Sequence, residues 1–379
     1  MNDPSLLVLH HLCTNRQRAS NAGNQYRRPN TLTLSRAYTS SQLTALIETD
    51  PFIRPPVQDE WRDPTWPEVS VSLLTYNQRE LIGRAIDSIL AQRVNFRYEI
   101  IIGDDCSDDR TQEVLLDYQR RFPDRIVLVL HPRRYDNVAG RINNMTNLLS
   151  CRGKYTAMLD GDDYWTDPNK LQTQYDLLEA HPEIVMSTHD SEVVIFDAED
   201  RELRRVLSSE RVPYSSVNRL HTHAQFTADR SVFFHNSSVV FRTRIFGELP
   251  ADFFDVIAAD HYLMLLVSER GLVHYSPAVR SVYNKYVAGF TRNPAYSNFA
   301  SRRRRQLDLM LYEKRFPAIR KQRSYRARYA SISLRLALEA ISRKKALQTV
   351  LPNVCRVLFN DPHLLSAVVG QRLRRIFGR

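Results

Sequence analysis

Through the middle of this 379-residue chain, short apolar runs alternate with stretches whose apolar residues return every three or four positions. Val69 to Leu74 is rich in β-formers and ends at Thr75, Tyr76 and Asn77. From Glu80 to Leu90 the spacing of Leu81, Ala85, Ile86 and Ile89 predicts a helix. Tyr98 to Ile102 suits a strand buried on both faces and stops at Gly103, Asp104 and Asp105. A helix is expected from Asp109 to Phe122, with Ser107 as its cap and Thr111 as a second candidate. Ile126 to Leu130 predicts a strand, Asn143 to Leu149 a helix, and Tyr155 to Leu159 a strand ending at Asp160. Such repetition implies a parallel sheet covered by helices, an α/β fold. Ligands of these sheets bind outside the carboxyl ends of the strands. Each unusual polar cluster in this chain falls at such an end.

The alternation spans residues 67–295 and is flanked by segments of different character. Residues 1–66 are polar, dotted with arginine and closed by Pro51, Pro55, Pro56 and Pro64, which predicts a flexible arm with one short helix near Ser41 to Glu48. Residues 296–379 read as a helical extension, in which Tyr325, Tyr329, Ile332, Leu336, Leu338 and Ile341 recur at helical steps. At 43% hydrophobic and 25% charged residues, wholesale disorder is excluded.

The formal charge of +11 gathers late in the chain, in Arg302 to Arg305, in Arg320 to Lys345 and in Arg372 to Arg379. That points to an anionic partner such as a membrane surface; a solvated helical face is the alternative. Cys13, Cys106, Cys151 and Cys355 are scattered, without disulfide or zinc spacing. With no signal-peptide pattern and no bilayer-spanning run, a cytoplasmic protein is expected, peripheral at the inner face of the membrane.

Two acidic clusters carry the candidate chemistry. Gly103-Asp104-Asp105-Cys106-Ser107-Asp108-Asp109 holds four carboxylates in six residues, whose joint ionisation needs donors, solvent or a cation. Asp105, an acceptor-only group at a strand end, suits a base N–H or a ribose hydroxyl. The second cluster is Asp160-Gly161-Asp162-Asp163-Tyr164-Trp165, where Gly161 lends conformational freedom to an Asp-x-Asp turn. Its hard oxygens suit Mg²⁺ or Mn²⁺ beside phosphate. It is no EF-hand, because Trp165 and Leu171 stand where glycine and glutamate are required. A third feature, Asp260-His261-Tyr262, opens an apolar helical stretch and by itself reads as a helix cap.

The segments "VSVSLLTYNQRELIGRAIDSILAQ", "YEIIIGDDCSDDRT" and "CRGKYTAMLDGDDYWTDPNKLQTQ" stand in the order and spacing of the family 2 glycosyltransferases, which the chain resembles from Val69 to about Gly289. "GKYTAMLDGDDYW" is similar to bacterial members that build surface polysaccharides. The resemblance implies a GT-A fold, a mostly parallel sheet flanked by helices, here with the helical C-terminal extension. It implies an inverting enzyme using a nucleotide-diphospho-sugar donor, UDP-linked by family habit, and a divalent metal. Thr75 and Tyr76 would line the base, Asp105 with Asp104 would bond it, and Asn137, Arg141 and Asn144 would approach the phosphates and sugar. Asp160 would contact ribose and donor sugar, Asp162 would bind the metal, and Trp165 would sit by the acceptor.

Asp260 would be the general base for the acceptor hydroxyl of a saccharide or lipid-linked acceptor. One departure is plain: after Ser281 to Tyr283 the family shows an arginine and a histidine, and this chain has Asn284 and Tyr286, so either Lys285 and Arg292 take over phosphate contacts or metal and donor binding are weaker. His235 reads as a core histidine or a pocket wall. The amphipathic C-terminal extension, including Leu364, Leu365, Val368, Leu373 and Phe377, would lie on an anionic membrane. No nucleic acid is expected, since its aromatics form no stacking platform. A pyrophosphorylase lacks its glycine-rich loop here. The remaining rival is a non-catalytic binding or scaffold protein of the same fold.

Overall fold

The computed structural model of the protein describes residues 31–33, 66–131, 140–211, 219–228, 235–250, 253, 256, 259–286, 299–321, 323–342 and 347–361. Its elements run β1 (Thr31–Thr33), β2 (Val69–Thr75), α1 (Ile82–Leu90), β3 (Tyr98–Asp104), α2 (Thr111–Arg121), β4 (Ile126–Leu130), α3 (Arg141–Leu149), β5 (Tyr155–Asp160), β6 (Tyr164–Trp165) and α4 (Lys170–Ala180). Then follow β7 (Ile184–Phe196), β8 (Glu202–Leu207), β9 (Arg219–His221), α5 (His223–Ala228), β10 (Val240–Arg242), α6 (Ala259–Ser268), β11 (Leu272–Tyr286), α7 (Phe299–Arg315), α8 (Arg323–Ser342) and α9 (Leu347–Asn360). The chain divides into two units. The first holds Met1–Ala180, Asn236–Leu249 and Val279–Tyr283, and the second the remainder.

In the first unit the strands lie in the order β1-β4-β3-β2-β5-β10. Every pair is parallel except β5 with β10. The expected parallel sheet is therefore present, with one antiparallel strand added. β1 falls within the segment read as an arm; the short helix expected near Ser41 lies outside the described residues. Helix α1 forms because Ile82, Ala85, Ile86 and Ile89 share one buried face. It starts two residues later than expected, after the carbonyl of Gln78 accepts the N–H groups of Leu81 and Ile82 at 2.9 Å.

Polar residues fasten this core as much as apolar ones. Asn147 of α3 is fully buried, and its amide donates to Ser72 Oγ (2.8 Å), the Ile101 carbonyl (3.0 Å) and the Leu73 carbonyl (3.3 Å). One side chain thus ties α3 across β2 and β3, at ~1 kcal/mol for each bond made. Asn143 donates to the Gly103 carbonyl at 2.9 Å. A Cβ at Gly103 would fall 2.3 Å from Asn143 Oδ1, so the helix can settle there only over glycine. At the opposite ends of the strands, buried Glu99 accepts from Ser70 Oγ (2.7 Å) and Arg152 Nε (2.9 Å). This carboxylate sits inside a run that reads as apolar, and its burial is tolerated because both oxygens have donors.

In the second unit β7 and β8 pair antiparallel, with a bulge at Ile195/Phe196, and β9 pairs antiparallel with Val273 to Tyr275 of β11. Helix α6 is apolar nearly all round, with Tyr262 to Ser268 buried. Tyr262 stacks on Tyr312 of α7 at 5.1 Å and meets Phe316 edge-on at 6.1 Å. Part of the basic run Arg302 to Arg305 is drawn into packing. Arg302 pairs with Glu339 at 2.5 Å, Arg303 bonds Gln306 at 2.6 Å, and burial lowers the pKa of Arg305. Among the described residues no helix is long and apolar enough to cross a membrane.

Gly153 tests the sheet's tolerance. A Cβ there would meet the Ser70 backbone nitrogen at 2.5 Å and Val69 carbonyl carbon at 2.8 Å. Gly153→Ala is expected to lower unfolding free energy by ~1–3 kcal/mol, read as a reduced urea midpoint with unchanged slope.

Candidate active site

The register of β2 between its two parallel neighbours sets the site. Thr75 stands beside Asp104 of β3, and Leu74 beside Asp160 of β5. Both following loops then close on the end of β2: Asp105 N–H donates to the Thr75 carbonyl (3.1 Å) and Gly161 N–H to the Leu74 carbonyl (2.8 Å). A Cβ on Gly161 would lie 2.4 Å from Gln78 Oε1 and 2.9 Å from the Leu74 carbonyl oxygen. Glycine is required there by close approach. It is not among the residues with positive φ, so the conformational freedom expected of it is not what the turn uses.

The first acidic loop satisfies most of its own charge. Asp104 is fully buried; its oxygens accept from Ser107 Oγ (2.5 Å), Ser107 N–H (3.0 Å) and Gln112 Nε2 (2.6 Å). Asp108 and Asn77 exchange two bonds, at 2.7 and 3.0 Å. Asp109 accepts from Thr111 N–H (2.9 Å) and Arg79 N–H (3.0 Å). Burial raises the pKa of Asp109, but these bonds outweigh it and hold the carboxyl below its usual range. The start of α2 is therefore held by the Asp109 side chain. Ser107 instead serves Asp104 and Asn77, and Thr111 receives the Gln78 N–H at 3.0 Å. Asp105, buried, accepts from Gly140 N–H at 3.1 Å, which links the loop to the start of α3.

The second loop is reached from the same side. Asp162 is bonded by the Gln78 side chain; burial lifts its carboxyl to about 6, against Gln78 and Arg84. Asp160 and Asp163 each bring a carboxylate oxygen within 4.8 Å of the other's. Asp163 is buried and also accepts from Ser237 Oγ at 2.5 Å. Two hard oxygen donors at this separation fit a divalent cation such as Mg²⁺ or Mn²⁺. Trp165 is buried, its indole N–H given to the Ser237 carbonyl at 2.8 Å. The Lys170 ammonium lies 4.1 Å over its ring, without a hydrogen-bond partner among the described residues. Burial pulls the pKa of Lys170 well down.

Around this rim the buried atoms Thr75 Oγ1, Gln78 Oε1, Asn143 Oδ1 and Asn144 Oδ1 have no hydrogen-bond partner among the described residues. Such atoms ordinarily find one, in the protein or in solvent. Arg141 is the first residue of α3, beside Gly140, and Tyr76 is half-buried at the end of β2. Asn137 lies outside the described residues.

Asn77, Gln78 and Asp163 were not among the residues singled out from the sequence. Asp163 had a signal, a third carboxylate directly after the Asp-x-Asp. The two amides had none, since their role depends on which loops flank β2.

Asp260 is in the second unit, in the first turn of α6. Its charge bears on His261 and on the Tyr312 phenol. Burial and then Arg328 push the His261 imidazole down to about 4, with Asp260 opposing. Asn284 is buried, and Tyr286 stacks on Phe196 at 4.7 Å, so the family departure is built into local packing. Gly289 and Arg292 lie outside the described residues. His235 is buried, and burial lowers its pKa to about 3.

Residues 70–248 match the family described as Glycosyl transferase family 2. An uncharacterized protein of Mycobacterium tuberculosis is 32% identical over 222 residues, 58% of this chain and 60% of the relative. The chain thus matches less than two thirds of that relative's length. The putative teichuronic acid biosynthesis glycosyltransferase TuaG of Bacillus subtilis is 34% identical over 112 residues, 30% of this chain and 42% of its own. Among solved structures, S. aureus TarS 1-349 in complex with UDP-GlcNAc aligns with a TM-score of 0.51 at 16% identity, over 79% of this chain and 83% of that one. This likeness speaks for the fold, the mixed α/β arrangement of GT-A type expected from the sequence. With strand ends, acidic loops and spacing all in place, the segment 70–248 is what this chain shares with the family 2 glycosyltransferases.

Proposed function

We propose that this protein is an inverting glycosyltransferase that moves a sugar from a nucleotide-diphospho-sugar, UDP-linked, to a hydroxyl of a saccharide or lipid-linked acceptor in polysaccharide or glycolipid assembly. The observation that carries the reading is the shared rim at the ends of β2, β3 and β5. There Asp105 and the Asp160–Asp163 loop converge on Leu74 and Thr75 at the end of β2.

In this reading Thr75, Tyr76 and Asp105 hold the base. Asp104 acts at one remove, because its lone pairs are engaged by Ser107 and Gln112. Arg141 and Asn144, in the first turn of α3, together with Asn137 receive phosphate and sugar, since a helix N-terminus and a guanidinium favour anions. Asp160, Asp162 and Asp163 supply the oxygens for a divalent cation. Once bound, that cation neutralises charge on the departing diphosphate. Asp260 takes the proton of the attacking hydroxyl, and inversion follows from attack opposite the leaving group. Trp165, fixed by Ser237 and Lys170, forms a rigid wall for the acceptor.

A ligand that binds only the folded protein raises its melting temperature with concentration. UDP-sugars are expected to do so here, and more strongly with Mn²⁺. Asp162→Asn should remove the Mn²⁺-dependent part of the shift. If Asp163→Asn removes it and Asp162→Asn does not, the ligand is Asp163.

Asp260→Asn is expected to keep the donor-induced shift and to lower transfer, or slow donor hydrolysis, by roughly 10²–10⁴-fold. Unchanged turnover would remove Asp260 from the base role. Absence of any turnover in the unaltered protein, with donor binding intact, would favour a non-catalytic binding protein, the reading that Asn284 and Tyr286 support.

A further inference from the structure

Helix α9 has two unlike sides. Asn353 and Val357 are buried, and Asn353 Oδ1 accepts from Gln306 Nε2 (2.7 Å), which also bonds Ser333 Oγ (2.8 Å). This side is fastened to α7 and α8. On the opposite side Leu351, Leu358 and Phe359 are 55%, 48% and 66% exposed, with Cys355 exposed between them. Steps of four, three and one residues place these four on a single helical stripe. Single exposed leucines are ordinary, whereas a continuous apolar stripe in water marks a surface that is covered in use.

Charge identifies the cover. Beside the stripe runs a groove of about 580 Å³ whose lining includes Met310, Tyr329 and Phe359. Its charged side chains are Lys314, Arg320 and Arg356 against one carboxylate, Glu313. Glu313 is already engaged by Arg320 at 3.0 Å. The Arg320 guanidinium lies 4.8 Å over the Phe359 ring, at the boundary between cationic rim and apolar stripe.

We propose that the exposed stripe of α9 and its cationic rim dock this protein in the plane of an anionic phospholipid surface. The apolar side chains enter the acyl boundary, while Lys314, Arg320 and Arg356 stay at headgroup depth, with their alkyl stems along the apolar layer. A second copy fits less well: a two-fold contact through this stripe would set each cationic rim near its own image. A nucleic acid would answer the cations but leave the leucines in water. The proposal stands apart from the transfer chemistry, and it concerns α9 rather than residues 362–379, which lie outside the described residues.

The test uses the full chain and sedimentation with vesicles of phosphatidylcholine, with and without phosphatidylglycerol. Binding is expected only with phosphatidylglycerol and should weaken as salt rises. Leu358→Ser with Phe359→Ser should lower the partition coefficient at least about tenfold, because the lost apolar burial scales with area. Lys314→Gln with Arg356→Gln should lower it several-fold. Both pairs should keep the far-ultraviolet circular dichroism and the nucleotide-sugar thermal shift of the parent; if the serine pair does not, Phe359→Ser alone carries the test. Equal binding by the serine variant, binding indifferent to phosphatidylglycerol, or no vesicle binding overturns the proposal. So does light scattering that finds a dimer which the serine pair dissolves.

Discussion

Strand β2 is paired in parallel on both sides, and that pairing is the constraint from which the site follows. Parallel strands present all their carboxyl ends at one edge, and the register fixes which residues stand there together. Thr75 meets Asp104 on one side while Leu74 meets Asp160 on the other. A slip of one residue would exchange the faces of every side chain on a strand and separate these ends. The register is in turn locked from below by Glu99, Ser70 and Arg152, and from the side by Asn143 and Asn147 of α3.

Concentrating carboxylates at such an edge would be costly if they faced one another unassisted. The structure resolves most of the cost locally. Asp104, Asp108 and Asp109 are acceptors for Ser107, Gln112, Asn77, Thr111 and the Arg79 backbone. The first acidic loop is thus largely a scaffold, and much of its charge has a structural use. The segment Asn77 to Arg79 does double service, since Gln78 bonds Thr111 beside the first loop and Asp162 in the second. That short stretch couples the two acidic loops into one rim.

The second unit follows a different logic, in which aromatic stacking carries the load. Tyr262, one turn into α6, is clasped by Phe253, Tyr312 and Phe316. Asp260 therefore starts a helix that α7 braces directly. The helical extension, whose arginines point to an anionic partner or a solvated face, contributes to the support of the candidate base. Its outward sides keep the apolar and cationic surplus that α9 displays.

Sequence alone was enough for the elements from Val69 to Asp160, because apolar periodicity and strand-end Asp and Gly signals are local properties of the chain. Val69 to Thr75, Tyr98 to Asp104 and Ile126 to Leu130 fell within two residues of expectation, and the family resemblance rested on the same segments. The residues at the strand ends were legible too, since polar clusters interrupt apolar runs there. What sequence could not decide was which acceptor meets which donor. That Asp109 rather than Ser107 holds the start of α2, that Gly161 is needed for closeness, and that Asp163 joins Asp160 all depend on partners brought from elsewhere in the chain. A hydrogen bond is settled by distances of a few tenths of an ångström, and only the folded chain fixes those.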